Sequence, residues 1–197
     1  MKTENLVERI LDVLENDILP LTKEGIAKGN KIFGAAILKK SNLDLVIAGT
    51  NKETENPLFH GEISCINNYW AMPKEKRPEP KDCLFLSTHE PCSLCLSAIT
   101  WSGFDNFYYL FSYEDSRDEF NIPHDLNILK EVFLCEDGGY APENEYWKSY
   151  SLMNMIAQCD ESLIKKWNKR ISRLRKAYGM LSSAYQENKT EQDIPLG

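Results

Sequence analysis

The chain has 197 residues, 42% of them apolar and 27% charged, with a formal net charge of −7. That is apolar material for one packed domain with an appended helix, and the acidic balance disfavours nucleic acid, whose phosphates need a basic surface, over a small-molecule substrate. No apolar run is long enough to cross a bilayer, and Met1–Asn5 lacks the basic-then-apolar pattern of a signal peptide, so the expectation is an intracellular, cytoplasmic protein.

Residues 5–19 predict a helix: Leu6, Val7, Ile10, Leu11, Leu14 and Ile18 recur at helical spacing, Asn5 and Glu8 resemble a capping box, and Pro20 stops the run. Residues 31–39 and 45–49 predict a β-hairpin, with Gly34 marking either a close backbone approach or a bulge. After a loop, helical spacing resumes behind His60, with Ile63, Ile66 and Trp70 on one face. Residues 71–81 are a charged, proline-rich loop. Cys83–Ser87 predicts a buried strand, followed by a helix that carries Cys92 and Cys95, has Pro91 in its first turn and ends at Gly103. Asn106–Phe111 predicts an aromatic strand, 125–132 a helix, Val132–Cys135 a short strand, Asp137–Gly139 a turn and 142–158 a helix. The alternating second half implies parallel strands with crossovers, and so an α/β layered fold.

Residues 161–185 predict a long helix with Ile164, Trp167, Ile171, Leu174, Tyr178 and Leu181 along one seam. Between Lys165 and Lys176 it has seven basic residues and no acidic ones. It either packs on the core or a second subunit, or offers a basic face to RNA or an acidic partner. The tail from Glu187 is polar and reads as disordered. The domain division is residues 1–159, then 160–197 as helix and tail.

In a reducing compartment the six cysteines are thiols or metal ligands. Cys65, Cys83, Cys135 and Cys159 stand singly and read as buried structural thiols. Cys92 and Cys95, three apart at a helix start, share one face, and the helix N-terminus favours thiolate. With His60 from another helix start they make three zinc ligands and leave one tetrahedral position open to water. Glu62 lies too far round its helix to join the ligands and can sit beside that water as a proton carrier. A redox pair lacks the surrounding strand pattern, and a closed structural site would need a fourth protein ligand, for which His89 is awkwardly placed. His-x-Glu followed about thirty residues later by Pro-Cys-x-x-Cys is the zinc-deaminase signature.

On these motifs residues 5–158 resemble the cytidine-deaminase-like superfamily, and within it the branch of guanine, fungal-type cytosine and tRNA adenosine deaminases. His60-Gly61-Glu62 is similar to the cytosine deaminase form, where glycine replaces the commoner alanine; Thr88–Cys95 with Ala98, Ile99 and Trp101 is closer to the guanine deaminase form. Phe33-Gly34-Ala35 resembles a family strand, with Ile32 where proline is usual. The resemblance implies a three-layer α/β/α fold with a five-stranded mixed sheet, helices on both faces and here an extra C-terminal helix. It implies zinc on His60, Cys92 and Cys95, with Glu62 as proton shuttle. It further implies substrate contacts from Asn51, Phe33 and the Cys92 backbone N–H, and a homodimer. In the segment after the aromatic strand, where guanine deaminases carry an acidic substrate contact, Asp115 is the best match. By fold analogy Glu143 and Trp147 would close the pocket; His124 is left unplaced. The expected function is zinc-dependent hydrolytic deamination of a small nucleobase, nucleoside or related amino-heterocycle. The alternatives are a nucleic-acid editing deaminase, favoured by the basic helix, and a non-catalytic zinc module, which the intact Glu62 argues against.

Overall fold

The computed structural model describes residues 2–191 and 193–196. Five strands form one sheet in the order β2-β1-β3-β4-β5: β1 (Gly34–Lys39), β2 (Leu45–Thr50), β3 (Cys83–His89), β4 (Asn106–Phe111) and β5 (Lys148–Ser151). β1 pairs antiparallel with β2 and β3, while β3, β4 and β5 run parallel. Alternation along the strands divides the core. Ala36, Leu38, Leu84, Leu86 and Leu110 pack on one face with α1 (Thr3–Val13), α7 (Leu152–Ala157) and α8 (Glu161–Asn188). Ala35, Ile37, Cys83, Phe85 and Phe107 pack on the other with α3 (Gly61–Trp70) and α4 (Ser93–Trp101). This is the expected layered α/β/α arrangement.

The first helix does not stop at Pro20. α1 passes through a π-helical stretch, Leu14–Ile18, into α2 (Leu19–Ile26), with the Leu19 N–H reaching back five residues to the Leu14 carbonyl. The wider turn shifts the hydrogen-bond ladder, so that Pro20 falls in the first turn of α2, where its missing N–H is tolerated. Pro91, expected in the first turn of its helix, lies outside it: Cys92 is the N-cap and α4 begins at Ser93.

The C-terminal half departs most from expectation. Val132 and Phe133 end α6 (His124–Phe133), and Leu134 turns left-handed at φ 57°, so Val132–Cys135 is no strand. The fifth strand is Lys148–Ser151, inside the stretch expected to be helical. It is a short, polar edge strand, paired along Asn106–Tyr109 and with Tyr150 stacked on Tyr108 at 4.6 Å. Helix resumes only where Ser151 caps the Asn154 N–H. Tyr113–Asp118, the segment expected to carry an acidic substrate contact, is a short helix (α5) with a capping box between Ser112 and Asp115.

The long helix α8 forms as expected and buries Trp167, Ile171, Leu174 and Tyr178 against the chain's own core. Much of its basic character is spent within the fold. Arg170, with 10% of its side chain exposed, reaches Glu8 (2.9 Å), Asp12 (2.7 Å) and Glu15 (2.8 Å) on the first helical segment. Glu8 also accepts from Trp167 Nε1 (2.6 Å) and Lys166 Nζ (2.9 Å). The tail does not run free: Ile194 is buried. Of the single cysteines, Cys65 and Cys83 are buried and Cys135 and Cys159 half-buried.

Arg170→Leu is expected to cost about 2 kcal/mol in urea unfolding, the loss of a charged hydrogen-bond cluster discounted for the partial exposure of its carboxylates. Hydrogen bonds from Trp167 and Lys166 hold the Glu8 carboxyl below its ordinary 4.5. Its contribution is therefore present above that value and lost as pH falls through the lower folded value. Acidification below about pH 4.5 should lower the wild-type midpoint more than that of Glu8→Gln.

Candidate metal centre

Two helix starts meet at one end of the sheet. His60 is the N-cap of α3 and Cys92 that of α4, both with extended backbone; Cys95 lies one turn into α4 and Glu62 in the first turn of α3. α3 is seated by contact between glycines. A Cβ on Gly61 would fall 2.7 Å from Gly34 Cα and 2.8 Å from both Gly34 N and the Phe33 carbonyl carbon. The feature near Gly34 is thus a close approach, and the register shift of the hairpin lies further on, between Ile37 and Leu38.

His60 Nδ1 stands 3.5 Å from Cys92 Sγ and 3.8 Å from Cys95 Sγ, and the three ligand atoms lie within 4.8 Å of one another. Bonds of 2.0–2.1 Å to nitrogen and 2.3 Å to sulfur at a tetrahedral centre place N and S roughly 3.5 Å apart, so the donors fit zinc. The thiols are not alike. The hydrogen bond from Cys95, with support from His60, holds Cys92 well below the ordinary thiol value, whereas burial and the neighbouring Cys92 push Cys95 up. Burial lowers His60, but the adjacent Cys92 sulfur and the carboxylates Glu62 and Glu53 outweigh it and raise the imidazole to about 9.

Glu62 is buried, accepts from Ser87 Oγ at 2.6 Å and has Cys95 Sγ at 3.3 Å from its other oxygen. Burial, and then the charge of Cys92, raise its carboxyl above the ordinary range. The loop before α4 is pinned through Glu90, which accepts from Tyr140 Oη and, at 3.2 Å, from the Tyr113 N–H. His89 is no ligand. It is buried among Phe33, Phe111, Phe120 and Tyr178, and burial lowers it to about 3.

Above the triad opens a cavity of about 350 Å³, predominantly apolar, with Phe33, His60 and Cys92 in its wall. Lys31, Glu53, His124 and Asp125 are its charged or titratable members, and Ile194, Pro195 and Leu196 of the tail close one side. Asp125 also lines the smaller recess that holds Glu62 and Cys95, so it faces both the metal ligands and the open space. Burial raises its carboxyl well above the usual range.

Residues 15–111 match the model of the cytidine and deoxycytidylate deaminase zinc-binding region. A cytosine deaminase from Candida albicans is 32% identical over 89 residues, 44% of this chain and 56% of that protein, so the chain matches about half the length of this relative. A guanine deaminase from Nitrosomonas europaea shares the fold: TM-score 0.51 at 18% identity, covering 90% of this chain and 92% of that one. A guanine deaminase from Bacillus subtilis aligns with a TM-score of 0.49 at 26% identity, over 74% of this chain and 82% of its own.

Within the matched span the fold brings together all three expected ligands, Glu62 and Phe33. Asn51 lies just behind: it is fully buried, donates from Nδ2 to Glu53 (2.7 Å), and has no partner on Oδ1. Asp115 does not join them. Its carboxylate accepts from the Ser112 N–H at 2.9 Å and pairs with Arg175 at 2.8 Å, and it is not in the cavity wall. Ser112-Tyr113-Glu114-Asp115 is a serine–acid capping spacing, the signal that would have assigned Asp115 to a cap. The acidic residues in the cavity wall are instead Glu53, paired with Lys31, and Asp125, which no spacing rule marks. Glu143 pairs with Lys148 (2.8 Å), and Trp147 donates to Thr100 (2.8 Å) within the second core; neither lines the cavity.

Gly61→Ala, although it restores the commoner residue of the motif, should destabilise this protein by about 1–3 kcal/mol, because the methyl meets backbone atoms of β1 that cannot rotate away. Urea unfolding of the zinc-loaded protein checks this.

Proposed function

We propose that the protein is a zinc-dependent hydrolytic deaminase of a small nucleobase, nucleoside or related amino-heterocycle, releasing ammonia. The observation that carries this reading is Glu62: a buried carboxylate held by Ser87 beside three zinc-ligand atoms, in a small recess that shares His60, Cys92 and Asp125 with the wall of a cavity of about 350 Å³. A structural metal site has no use for such a carboxylate. Bound there by His60, Cys92 and Cys95, zinc supplies a Lewis acid that lowers the pKa of water to about 7. Glu62 takes a proton from the attacking water and delivers it to the departing amine, and Ser87 keeps its carboxylate aimed. The N–H of Cys92, at the N-cap of α4, is suited to hydrogen-bond the oxygen carried by the tetrahedral centre.

Phe33 supplies an apolar wall and Asn51 Oδ1 an acceptor with no other partner, suited to a ring N–H. Asp125 takes the acidic role first expected of Asp115 and suits an amine or ring N–H. The tail residues Ile194–Leu196 give the ring a cover. That cover favours a small molecule over a polynucleotide, as does the engagement of Arg170 and Arg175 in ion pairs within the fold. The 32%-identical relative is a cytosine deaminase, which agrees with a free base. Trp101 is 91% exposed on α4, and Val132, Phe133 and Leu134 are exposed at the end of α6, apolar surface that suits a second copy of the chain. Six unpaired thiols fit a reducing, cytoplasmic setting.

Ammonia release should be detected from at least one of guanine, cytosine, adenine and their nucleosides; no release from any by zinc-loaded protein contradicts the reading. Glu62→Ala should keep zinc and fold while lowering turnover by about 10²–10⁴. Asp125→Asn should raise KM by about tenfold, one hydrogen bond's worth, and Asp115→Asn should leave it unchanged.

A further inference from the structure

Beside the triad lies a buried ion pair that the reaction does not require. Glu53 and Lys31 are 2% and 6% exposed and meet at 2.9 Å. Glu53 Oε2 also accepts from the Lys31 N–H (3.3 Å) and from Asn51 Nδ2 (2.7 Å), and its Oε1 lies 3.7 Å from His60 Nε2. One carboxylate thus faces four donor positions, on the start of the hairpin, the residue behind the cavity and the metal-ligating ring. The last distance is longer than a hydrogen bond, so Oε1 faces Nε2 as the nearest charged acceptor rather than bonding it.

We propose that Glu53 is a positioning residue that fixes both the tautomer of His60 and the orientation of Asn51. The thiols face Nδ1, so this ring must carry its proton on Nε2 to present a lone pair to a metal. A carboxylate opposite Nε2 selects that tautomer, the arrangement by which outer groups orient ligating histidines. The other Glu53 oxygen accepts from the Asn51 amide nitrogen. That turns Oδ1 away and leaves it unpartnered, an acceptor reserved for a ligand. Lys31 is the counter-charge packed 2.9 Å from that buried carboxylate. The Asn51 half of the inference rests on the deaminase reading; the His60 half does not.

The rival account makes Glu53 only a partner for a buried lysine, and the double variant Lys31→Met with Glu53→Gln separates the two. It removes both charges at nearly constant volume, so the fold survives a change that Glu53→Gln alone, by stranding the ammonium, need not allow. The amide bonds to Asn51 through its oxygen and turns an NH₂ towards His60 Nε2, favouring the wrong tautomer. Zinc affinity of the double variant, measured by chelator competition, should fall 10–100-fold. Nitrogen NMR of the imidazole in the metal-free protein, taken at a pH where the ring is neutral, should show the proton moved from Nε2 to Nδ1. The Asn51 half is tested by a second double variant, Lys31→Met with Glu53→Met, which leaves Asn51 Nδ2 no acceptor: in zinc-saturated protein with a turned-over substrate its KM should rise as Asn51 loses its fixed orientation, and an unchanged KM overturns that half. Wild-type zinc affinity together with an unchanged tautomer overturns the proposal. If no substrate is turned over, the first two measurements still decide it, so failure of the deaminase reading is distinguishable from failure of this one.

Discussion

The site depends on how closely α3 sits against β1. The Gly34–Gly61 contact lets the start of α3 touch the backbone of the first strand, and any side chain at Gly61 would prop it away. That contact sets the depth of His60 and Glu62. α4 follows β3, the neighbour of β1 in the sheet, so its N-cap Cys92 arrives beside His60 from an adjacent strand end. Glu62 is then within reach of Ser87 on β3, and the proton-carrying group is anchored to the strand that also leads to the thiols. Two helix N-termini pointing at one spot also leave unpaired N–H groups there, which favours thiolate ligands and developing negative charge.

Around this point charge is buried with partners rather than excluded. Glu62 has Ser87, Glu90 has Tyr140 and the Tyr113 N–H, and Glu53 has Lys31 and Asn51. Asp125 faces the cavity, at the start of the helix that forms one wall. Far from the metal, α8 is clamped by Arg170 onto the first helical segment, and its last turns carry the chain back over the molecule. Ser182 and Gln186 donate to the carbonyls of Phe120 and Asn121, the segment leading into α6, and Ile194–Leu196 end beside the cavity. The appended helix therefore bears on the site through its tail, although its basic composition first suggests a partner surface.

What could be read beforehand follows the strength of local signals. The triad and Glu62 were legible because metal ligands need fixed residue types at fixed spacings, and His-x-Glu with Pro-Cys-x-x-Cys leaves few other uses. The hairpin, β3, β4 and α8 were legible from their apolar periodicity. β5 was not: Lys148–Ser151 has no apolar run, and its strand state comes from pairing along β4. Pro20 misled because a π-helical stretch changes which carbonyls need a donor, a tertiary accommodation invisible in composition. Asp115 and Asp125 show the limit for sites. Both are acidic residues in the same segment; only the fold turns one to Arg175 and the other to the cavity. Lys31 and Glu53 were likewise hidden, because nothing local pairs a lysine before a strand with a glutamate in a loop 22 residues on.

The central claim is an open zinc site of one imidazole and two thiolates, with room for a small ligand beside Glu62. X-ray absorption at the zinc edge tests it most directly. The account predicts two sulfur neighbours at about 2.3 Å and two nitrogen or oxygen neighbours at about 2.0–2.1 Å, one of them from His60 and the other replaced when a heterocyclic inhibitor is added. A third sulfur, a shell unchanged by any such ligand, or no bound zinc would contradict it.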